Sequence, residues 1–375
     1  MIDVETFRKE AREFLSANAE PDDRGASVLE VFTPRTPAED DTWVRANRDW
    51  QRRLFDAGLA GITFPTDVGG RGLTLGHALA WAEEESAFAV PRGLFGVTQE
   101  MVAPTLLAVG DAQQRAAVTR ILRGEEVWCQ LFSEPDAGSD LASISTRATL
   151  DGDRWALRGQ KVWTSEARHA KWGYVLARSD PDAPKHKGLT AFIVDLQQPG
   201  VSIRPLRQMT GGSSFNEVFF DEALVEAGGV LGSVGEGWQV AMTTLGFERF
   251  TTFGRAMHRL VQRAVALGWD TPTQRQQIAS IVTSHRILGW LEDRLQAGVT
   301  AGQAPGAEGT LTKLAFVKLA LQLGEATTSN LGAAALGEAT DWQRILLAGP
   351  GLRLAGGTDE ILRSLVGERV LGLPR

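Results

Sequence analysis

The stretch WCQLFSEPDAGSDLAS, residues 128–143, is the most informative part of the 375-residue chain. It combines small residues, acids and serines at the point where a helical pattern gives way to short strands. Ser133, Gly138 and Ser139 would present hydroxyls and backbone amides, which suit the edge of a heterocycle or a phosphate. Taken alone, the DAGSD turn is also typical of an ordinary surface loop.

The segment that this stretch opens, residues 128–232, contains short runs of β-forming residues. These runs lie at 154–164, 174–178, 189–196, 201–206 and 217–225, and turns such as DGD (151–153), SDPDAP (179–184) and QPG (198–200) separate them. Several short strands joined by such turns predict a small barrel or sandwich.

The flanking segments carry apolar residues at helical spacing instead. Before the strands these patterns cover the first fifteen residues, 43–57, 75–87 and 99–109; after them they cover 237–266, 274–296, 312–331 and 361–370, with 297–310 as a connecting loop. We therefore predict an α+β, multidomain chain. Its domains would be an N-terminal α-helical domain (1–127), a middle β-barrel (128–232) and a C-terminal four-helix bundle (233–375).

Composition narrows the class of protein. Hydrophobic residues make up 43% and charged residues 23%, as in globular proteins, and the net charge of −7 with no basic block argues against nucleic-acid binding. No apolar run reaches the ~20 residues that span a bilayer, and the N-terminus lacks a signal core. A single cysteine, Cys129, excludes an internal disulfide, and five scattered histidines argue against a metal enzyme. We expect a cytoplasmic protein without a membrane segment.

A second candidate segment is GQKVWTSEA, residues 159–167, at the end of a predicted strand. Trp163 could stack on a flat ring system, and the hydroxyls of Thr164 and Ser165 could form hydrogen bonds to it. The alternative is a buried strand tryptophan followed by turn residues.

A third segment, TTLGFERF (243–250), places Glu248 and Arg249 within an apolar part of a predicted helix. A carboxylate that faces an apolar cavity has a raised pKa and can act as a general base near neutral pH. The alternative is a solvent-facing Glu–Arg pair.

A fourth segment, LAGGTDEIL, begins at residue 354 and contains a glycine turn before a predicted helix. Thr358 is a plausible N-cap, and Glu360 in the first turn suits the helix dipole. Such an amide-rich helix start could also bind a pyrophosphate, and simple capping is the alternative.

Taken together, these segments resemble the acyl-CoA dehydrogenase family over nearly the whole chain. The resemblance rests on AGLAGITFPTDVGGRG (57–72), LRGEEVWCQLFSEPDAGSDLAS (122–143), LRGQKVWTS (157–165), FNEVFFDEALV (215–225), GWQVAMTTLGFER (237–249) and GGTDEILRSLVGERVLGLPR (356–375). It implies the same three domains that the patterns predict. It also implies an FAD-dependent oxidoreductase of lipid metabolism and β-oxidation, with electron-transfer flavoprotein as the acceptor.

In this family a glutamate removes the α-proton of an acyl-CoA thioester while flavin N5 takes hydride from Cβ. The resemblance implies FAD contacts for Gln130, Phe132, Ser133, Gly138, Ser139, Trp163, Ser165, Gly357, Thr358 and Glu360. It further implies that Ser139, Arg249 and Gly356 contact the substrate, and that no metal takes part.

The position of the base departs from the commonest family pattern. Many members carry the catalytic glutamate directly before Gly-Thr in the C-terminal motif, where this chain has Gly356. A minority, including the isovaleryl and long-chain enzymes, place it before an arginine on the first bundle helix. Glu248–Arg249 matches that arrangement, so the resemblance implies Glu248 as the catalytic base.

The cofactor contacts between subunits also differ. Typical homotetramers carry an Arg-x-x-Phe-Gly segment that contacts a neighbour's FAD, and residues 268–279, GWDTPTQRQQIA, lack it. A Gln-x-x-Gly-Gly-x-Gly segment is likewise absent between Glu325 and Gly351. In both respects the chain is similar to the actinobacterial branch that includes heteromeric sterol side-chain enzymes. A homo-oligomer in which Arg275 or Arg286 replaces these contacts is the alternative.

Two other functions fit the same fold. One is a non-catalytic partner subunit that completes a neighbour's FAD site, and the other is a flavin oxidase or monooxygenase. The retained Glu248 favours dehydrogenation over both. The acyl chain, and the choice between CoA and a carrier-protein thioester, stay open at this stage.

Overall fold

A computed structural model describes residues 2–23, 25, 27–247, 254–301, 309–335, 337 and 340–374, without the side chains of residues 27, 28, 254–256, 299 and 300. Its helices are α1 (Val4–Asn18), α2 (Pro37–Asp56), α3 (Leu75–Glu85), α4 (Ala103–Val109), α5 (Ala112–Leu122), α6 (Gly237–Phe247), α7 (Gly254–Val265), α8 (Pro272–Thr300), α9 (Gly309–Leu331), α10 (Asp341–Leu354) and α11 (Asp359–Arg369). Its strands are β1 (Glu20–Pro21), β2 (Phe88–Ala89), β3 (Trp128–Leu131), β4 (Arg147–Asp151), β5 (Arg154–Ser165), β6 (Trp172–Arg178), β7 (Leu189–Asp195), β8 (Val201–Pro205), β9 (Phe215–Glu226) and β10 (Val230–Leu231). The order is helical, then strand-rich, then helical, as the sequence predicts.

The chain folds into two compact units that each draw on separate parts of the sequence. The first unit contains residues 1–33, 73–91 and 249–375, and the second contains residues 34–72 and 92–248. The domain boundaries predicted from the sequence, 1–127, 128–232 and 233–375, therefore stay predictions.

The first unit is helical. Helix α1 begins at its N-cap Asp3 and buries Phe7, Ala11 and Leu15 on one face, the stripe that the sequence predicts. Helices α7 to α10 enclose a core of aliphatic and aromatic side chains. The contacts of α8 with α9, and of α9 with α10, are the most extensive helix packing in this unit.

Within the described residues, eight strands of the second unit form one sheet in the order β10-β7-β6-β4-β5-β9-β8, and β3 pairs in parallel with β6. One face covers a core that includes Leu157, Val175, Phe192 and Val218, each fully buried. The longest pairing joins β5 and β9 and is interrupted twice, at Leu157/Arg158 and at Lys161/Thr164. The second interruption determines the geometry of the site described below.

The structure extends and corrects parts of the predicted pattern. Helix α10 was not predicted, because Gly349, Pro350 and Gly351 obscure its helical signal. The predicted loop 297–310 is shorter than expected, since α8 continues to Thr300 and α9 begins at Gly309. The first part of the predicted helix 99–109 is a π-helical turn, Thr98–Val102, that continues into α4. None of the described helices is long and apolar enough to cross a membrane.

Candidate functional site

The exposed indole of Trp163 is the most unusual feature of the second unit. Trp163 has a φ of +62° and a relative exposure of 61% at the point where the β5–β9 register shifts. A bulge of this kind turns a side chain away from the face that strand alternation would give it. A left-handed conformation costs a non-glycine residue about 1–2 kcal/mol, so the surrounding structure must hold it. The alternative prediction of a buried strand tryptophan is wrong.

Backbone hydrogen bonds fix the chain on both sides of Trp163. The Val162 N–H donates to the Ser133 carbonyl over 2.9 Å. The fully buried Asn216 donates from Nδ2 to the Thr164 carbonyl over 3.0 Å. The Phe215 ring also meets the indole edge-on, with 6.2 Å between centroids. The backbone on both sides of Trp163 is therefore fixed, while most of the indole stays exposed.

A buried ion pair joins the two candidate segments 128–143 and 159–167. Lys161 is fully buried, and its Nζ donates to Glu134 Oε1 over 2.8 Å and to the Phe132 carbonyl over 2.9 Å. Glu134 also accepts from the Ser145 N–H and from the Thr146 N–H, over 2.6 and 2.9 Å. The pair brings Phe132 and Ser133 beside the Trp163 turn.

The pKa values of the pair reflect both burial and attraction. Burial alone would raise the pKa of Glu134, but the charge of Lys161 and the hydrogen bonds lower it to about 2. Burial lowers the pKa of Lys161 to about 8, although Glu134 opposes this shift. The sequence patterns do not predict this pair. Its signal was Lys161 itself, which shares the strand alternation of the buried Trp155 and Leu157.

The other predicted residues of segment 128–143 differ in exposure. Gln130 is half-buried on β3. The Phe132 ring is buried edge-on against Tyr174, with 5.1 Å between centroids, so its contact with a ligand would come from the main chain. Gly138 and Ser139 are exposed in the turn after Glu134, and no described atom lies within 4 Å of the position that a Cβ on Gly138 would take. The backbone of this turn is therefore open to solvent.

Charged side chains lie behind the Trp163 turn. Glu166, at φ +52°, is only 6% exposed, and burial raises its pKa to about 7. His169 Nε2 lies 3.0 Å from Asp40 Oδ2, and the Nη2 of Arg168 donates to Asp40 Oδ1 over 2.9 Å. Burial lowers the pKa of His169. Sequence reasoning missed this cluster because its members are distant along the chain.

The predicted glycine turn before α11 lies in the first unit. Gly356 and Gly357 both have positive φ, +66° and +97°, and Lys313 Nζ donates to the Gly357 carbonyl over 2.9 Å. The Thr358 hydroxyl accepts from the Ile361 N–H over 3.2 Å, which confirms the predicted N-cap. Glu360 is exposed in the first helical turn, as predicted.

Two predicted residues, the base Glu248 and Arg249, lie outside the described residues. Before them, α6 is anchored by Thr244, whose hydroxyl donates to Tyr174 over 3.3 Å and accepts from Thr105 over 2.9 Å. In the described part of the chain, no group of three or more His, Cys, Asp or Glu side chains could hold a metal ion.

Comparison with known proteins identifies the family. Three family models match: the acyl-CoA dehydrogenase N-terminal domain at residues 3–125, the middle domain at 129–223 and the C-terminal domain at 235–371. Acyl-CoA dehydrogenase IpdE1 of Mycobacterium tuberculosis strain H37Rv is 38% identical over 388 residues, which cover 100% of this chain and 99% of that protein. The chain belongs to the acyl-CoA dehydrogenase family.

Further relatives of this acyl-CoA dehydrogenase are known. Acyl-CoA dehydrogenase FadE34 of the same organism is 40% identical over 331 residues, which cover 87% of this chain but 46% of that protein. The solved steroid ACAD Tcur3481-Tcur3483 superposes with a TM-score of 0.83 at 27% identity, covering 99% of this chain and 98% of that one. The N-terminal helical, middle sheet and C-terminal helical organisation is confirmed.

The family depends on FAD, and the predicted cofactor is confirmed. The residues present fit such a group, because an open tryptophan face on a rigid turn is the surface that a flat ring system requires. The exposed Gly138 turn and the capped α11 offer backbone amides for phosphates. Trp163, Ser165 and residues 130–133 would therefore hold the ring system of FAD in this acyl-CoA dehydrogenase.

Proposed function

We propose that this enzyme dehydrogenates the Cα–Cβ bond of an acyl-CoA thioester, with Glu248 as the base. The observation that best supports this proposal is the exposed, conformationally strained Trp163 at the end of β5, which presents a ring-binding face beside Ser165. Strain of this kind persists only where the surrounding structure enforces it, and it concentrates at functional sites. FAD supplies the acceptor for the hydride that leaves Cβ.

The residues of the chain have distinct roles in this proposal. The Trp163 indole stacks on the cofactor ring, and the half-buried Ser165 hydroxyl donates to its reactive edge. The main chain of residues 130–133, anchored by Lys161, lines another edge of the ring. In the first unit, the Thr358 turn contacts the pyrophosphate through its backbone amides.

Glu248 removes the α-proton. The commoner position for a family base is Gly356 here, which has no side chain and a φ of +66°, a conformation that glycine adopts without strain. A carboxylate at 248 that faces an apolar acyl group would have a raised pKa, which suits proton abstraction near neutral pH. Arg249 would shape the thioester end of the pocket.

We propose a bulky, ring-containing acyl group as the substrate class. The support is the steroid ACAD named above, which resembles this chain over nearly its full length. A small residue at 356 leaves room for branched or cyclic acyl groups on that side of the reacting carbons. CoA is the proposed carrier, with a carrier-protein thioester as the alternative.

We also propose that the functional assembly is a heteromer with a related, unlike subunit. The segments Arg-x-x-Phe-Gly and Gln-x-x-Gly-Gly-x-Gly, which a homotetramer would use to complete each FAD site, are absent from residues 268–279 and 325–351. Electron-transfer flavoprotein is the proposed electron acceptor, and the cytoplasm is the proposed location.

Anaerobic flavin reduction tests the function. The purified enzyme, alone and co-expressed with a paralogous subunit, is mixed with straight, branched and steroid-type acyl-CoAs while flavin absorbance is recorded. Bleaching by an acyl-CoA without O₂ supports dehydrogenation, and bleaching that the Glu248→Gln variant retains contradicts the assignment of the base. If no thioester reduces the flavin in either preparation, the proposed dehydrogenation is wrong and the chain is a non-catalytic subunit instead. If a thioester reduces the flavin and O₂ then reoxidises it at the rate of turnover, the enzyme is an oxidase. Full FAD occupancy and activity of the chain alone would refute the heteromer.

A further inference from the structure

Glu166 directly follows the Trp163–Ser165 turn and has no role in the proposed chemistry. Its side chain is 6% exposed, and its Oε2 has no hydrogen-bond partner among the described residues. Its own N–H donates to the Ser214 carbonyl over 2.8 Å, so the residue is tied to the sheet through its backbone. A buried carboxyl with an unpaired oxygen is costly when ionised. Its protonation state therefore bears on the conformation of the turn.

Charged side chains approach Glu166 from two sides. Arg35 and Asp40, before and within α2, approach it from one side, and Arg168 and His169 approach from the turn that follows it. Arg35 Nε lies 3.1 Å from Asp40 Oδ1, and Arg168 Nη2 lies 2.9 Å from the same oxygen. The titratable groups that face Glu166 are thus Asp40 and His169, and the fixed cations are Arg35, Arg168 and the more remote Arg48.

His169 connects the two carboxyl groups of this cluster. Its Nε2 is 3.0 Å from Asp40 Oδ2 and 3.8 Å from Glu166 Oε2. The same atom is 3.0 Å from Arg168 Nε, a donor. Nε2 can donate to Asp40 only when it carries a proton, and it can accept from Arg168 only when it does not. The position of one proton therefore selects between two hydrogen-bond arrangements behind the turn.

We propose that Glu166 is a positioning residue whose protonated carboxyl, buried beside the His169–Asp40 pair, holds the Trp163–Ser165 turn in its cofactor-binding conformation. This inference rests on the proposed function, because it assumes that the turn faces FAD. Its consequence is that FAD binds more weakly when the cluster loses this proton as pH rises.

The direction of the effect follows from burial. Because burial raises the pKa of Glu166 to about 7, the carboxyl is largely neutral below neutral pH and largely ionised above it. Arg35, Arg168 and a hydrogen bond with Ser214 favour the ionised form, but burial outweighs them and Asp40 repels it. Because Oε2 also has no hydrogen-bond partner among the described residues, the ionised side chain is expected to move toward water or to admit it. Such a movement displaces Ser165, the adjacent residue in the chain. Burial lowers the pKa of His169, which favours its neutral form, so this ring does not oppose the trend.

FAD titration of the full-length apoprotein, alone or with its partner subunit, tests the proposal. Flavin fluorescence quenching gives the Kd at pH 6, 7 and 8 for the wild type, Glu166→Gln and Glu222→Gln. Glu222 is the matched control, because it is a glutamate at a positive φ of +57° whose side chain is exposed and lies 3.4 Å from Arg158. Glu166→Asn is a second neutral variant, since asparagine tolerates the left-handed conformation.

We expect the wild-type Kd to rise at least about threefold between pH 6 and 8, within the limit of about tenfold per pH unit for one linked proton. Glu166→Gln and Glu166→Asn should remove this pH dependence, and Glu222→Gln should retain it. The proposal is overturned if the wild-type Kd is independent of pH, or if both neutral variants keep the wild-type slope.

The proposed function can fail separately. If FAD binds with the expected pH dependence but no acyl-CoA reduces it, the assigned reaction is wrong and the role of Glu166 stands. If FAD does not bind at all, the role of Glu166 is tested by urea denaturation of the same proteins, which measures the free energy of unfolding at each pH. Relative to Glu166→Gln, the wild type should lose stability as pH rises from about 4.5 to 7, because only its unfolded state then releases the Glu166 proton. Equal pH profiles overturn the proposal.

Discussion

Replacing Lys161 with methionine should destabilise the second unit severely. The substitution preserves an unbranched side chain but leaves the Glu134 carboxylate buried without its cation. Removing one partner of a buried pair typically costs about 3–5 kcal/mol. The pKa values of the pair show where this cost arises. Against the effect of burial, Lys161 and the hydrogen bonds lower the pKa of Glu134 to about 2, whereas burial lowers the pKa of Lys161 to about 8. The two shifts offset each other in the intact pair, so the cost of Lys161→Met is that of leaving the Glu134 carboxylate buried and unpaired.

The effect of Glu134 ionisation on the free energy of unfolding depends on pH, and its sign follows from the pKa shift. Because the folded-state pKa of Glu134 is depressed, the stabilisation is fully present above its unfolded value of about 4.3 and is lost as pH falls toward 2. The difference in unfolding free energy between wild type and Lys161→Met should therefore be largest at neutral pH and should narrow below about pH 4.

Urea denaturation followed by tryptophan fluorescence measures this difference. Lys185→Met is the matched control, because Lys185 pairs with Asp140 over 2.6 Å while both side chains are about half exposed. Exposed pairs contribute about 0–1 kcal/mol, so this control should be nearly neutral. The double variant Glu134→Gln with Lys161→Met should be more stable than Lys161→Met alone, because it removes the unpaired charge. A loss for Lys161→Met no larger than that for Lys185→Met would refute the anchoring role of the pair.

Three further predictions concern the cofactor and the reaction. Glu248→Gln should slow flavin reduction by an acyl-CoA at least about 100-fold, the lower end of general-base effects, with FAD content unchanged in the absorbance spectrum. Trp163→Ala should raise the FAD Kd, measured by equilibrium dialysis, by about tenfold for a stacking loss of 1–2 kcal/mol, and an unchanged Kd would remove Trp163 from the cofactor site. Thr358→Ala should lower the free energy of unfolding by about 1 kcal/mol through loss of the α11 N-cap, whereas Thr358→Ser, as the control, should retain it.

The regular elements could be predicted because their residues obey a local period. Phe7, Ala11 and Leu15 repeat at helical spacing and lie on the buried face of α1. The five predicted strand runs all fall within β5 to β9, where β-branched and aromatic residues are bounded by turns. The strands β3, β4 and β10 were not predicted from the sequence. They are short, and their partners in the sheet, rather than their own sequences, stabilise them.

The site could be predicted only in part, because its geometry depends on contacts that are distant in sequence. The exposure of Trp163 follows from a register shift against β9, about fifty residues away, and strand alternation alone gives no sign of it. Glu134 and Lys161 were within the quoted motifs, but their pairing required the sheet to bring them together. Asp40 and His169 meet only in the folded unit. The sequence therefore identified the motif residues but not the partners that hold them in place in the folded chain.

The two buried charged groups, Lys161 and Glu166, lie on either side of Trp163 along β5 and the turn that follows it. The strain of a left-handed tryptophan is about 1–2 kcal/mol. Breaking the Lys161 pair would cost more than this strain, so the backbone beside the exposed ring can be held in place before any ligand arrives. A rotamer fixed in advance spares binding the ~0.5–1.5 kcal/mol that ordering a side chain costs. The two charged groups beside Trp163 differ in how they are paired. Lys161 is paired with Glu134 through a hydrogen bond of 2.8 Å, whereas the Glu166 Oε2 has no hydrogen-bond partner among the described residues, and the proposed sensitivity of the turn to pH rests on this difference.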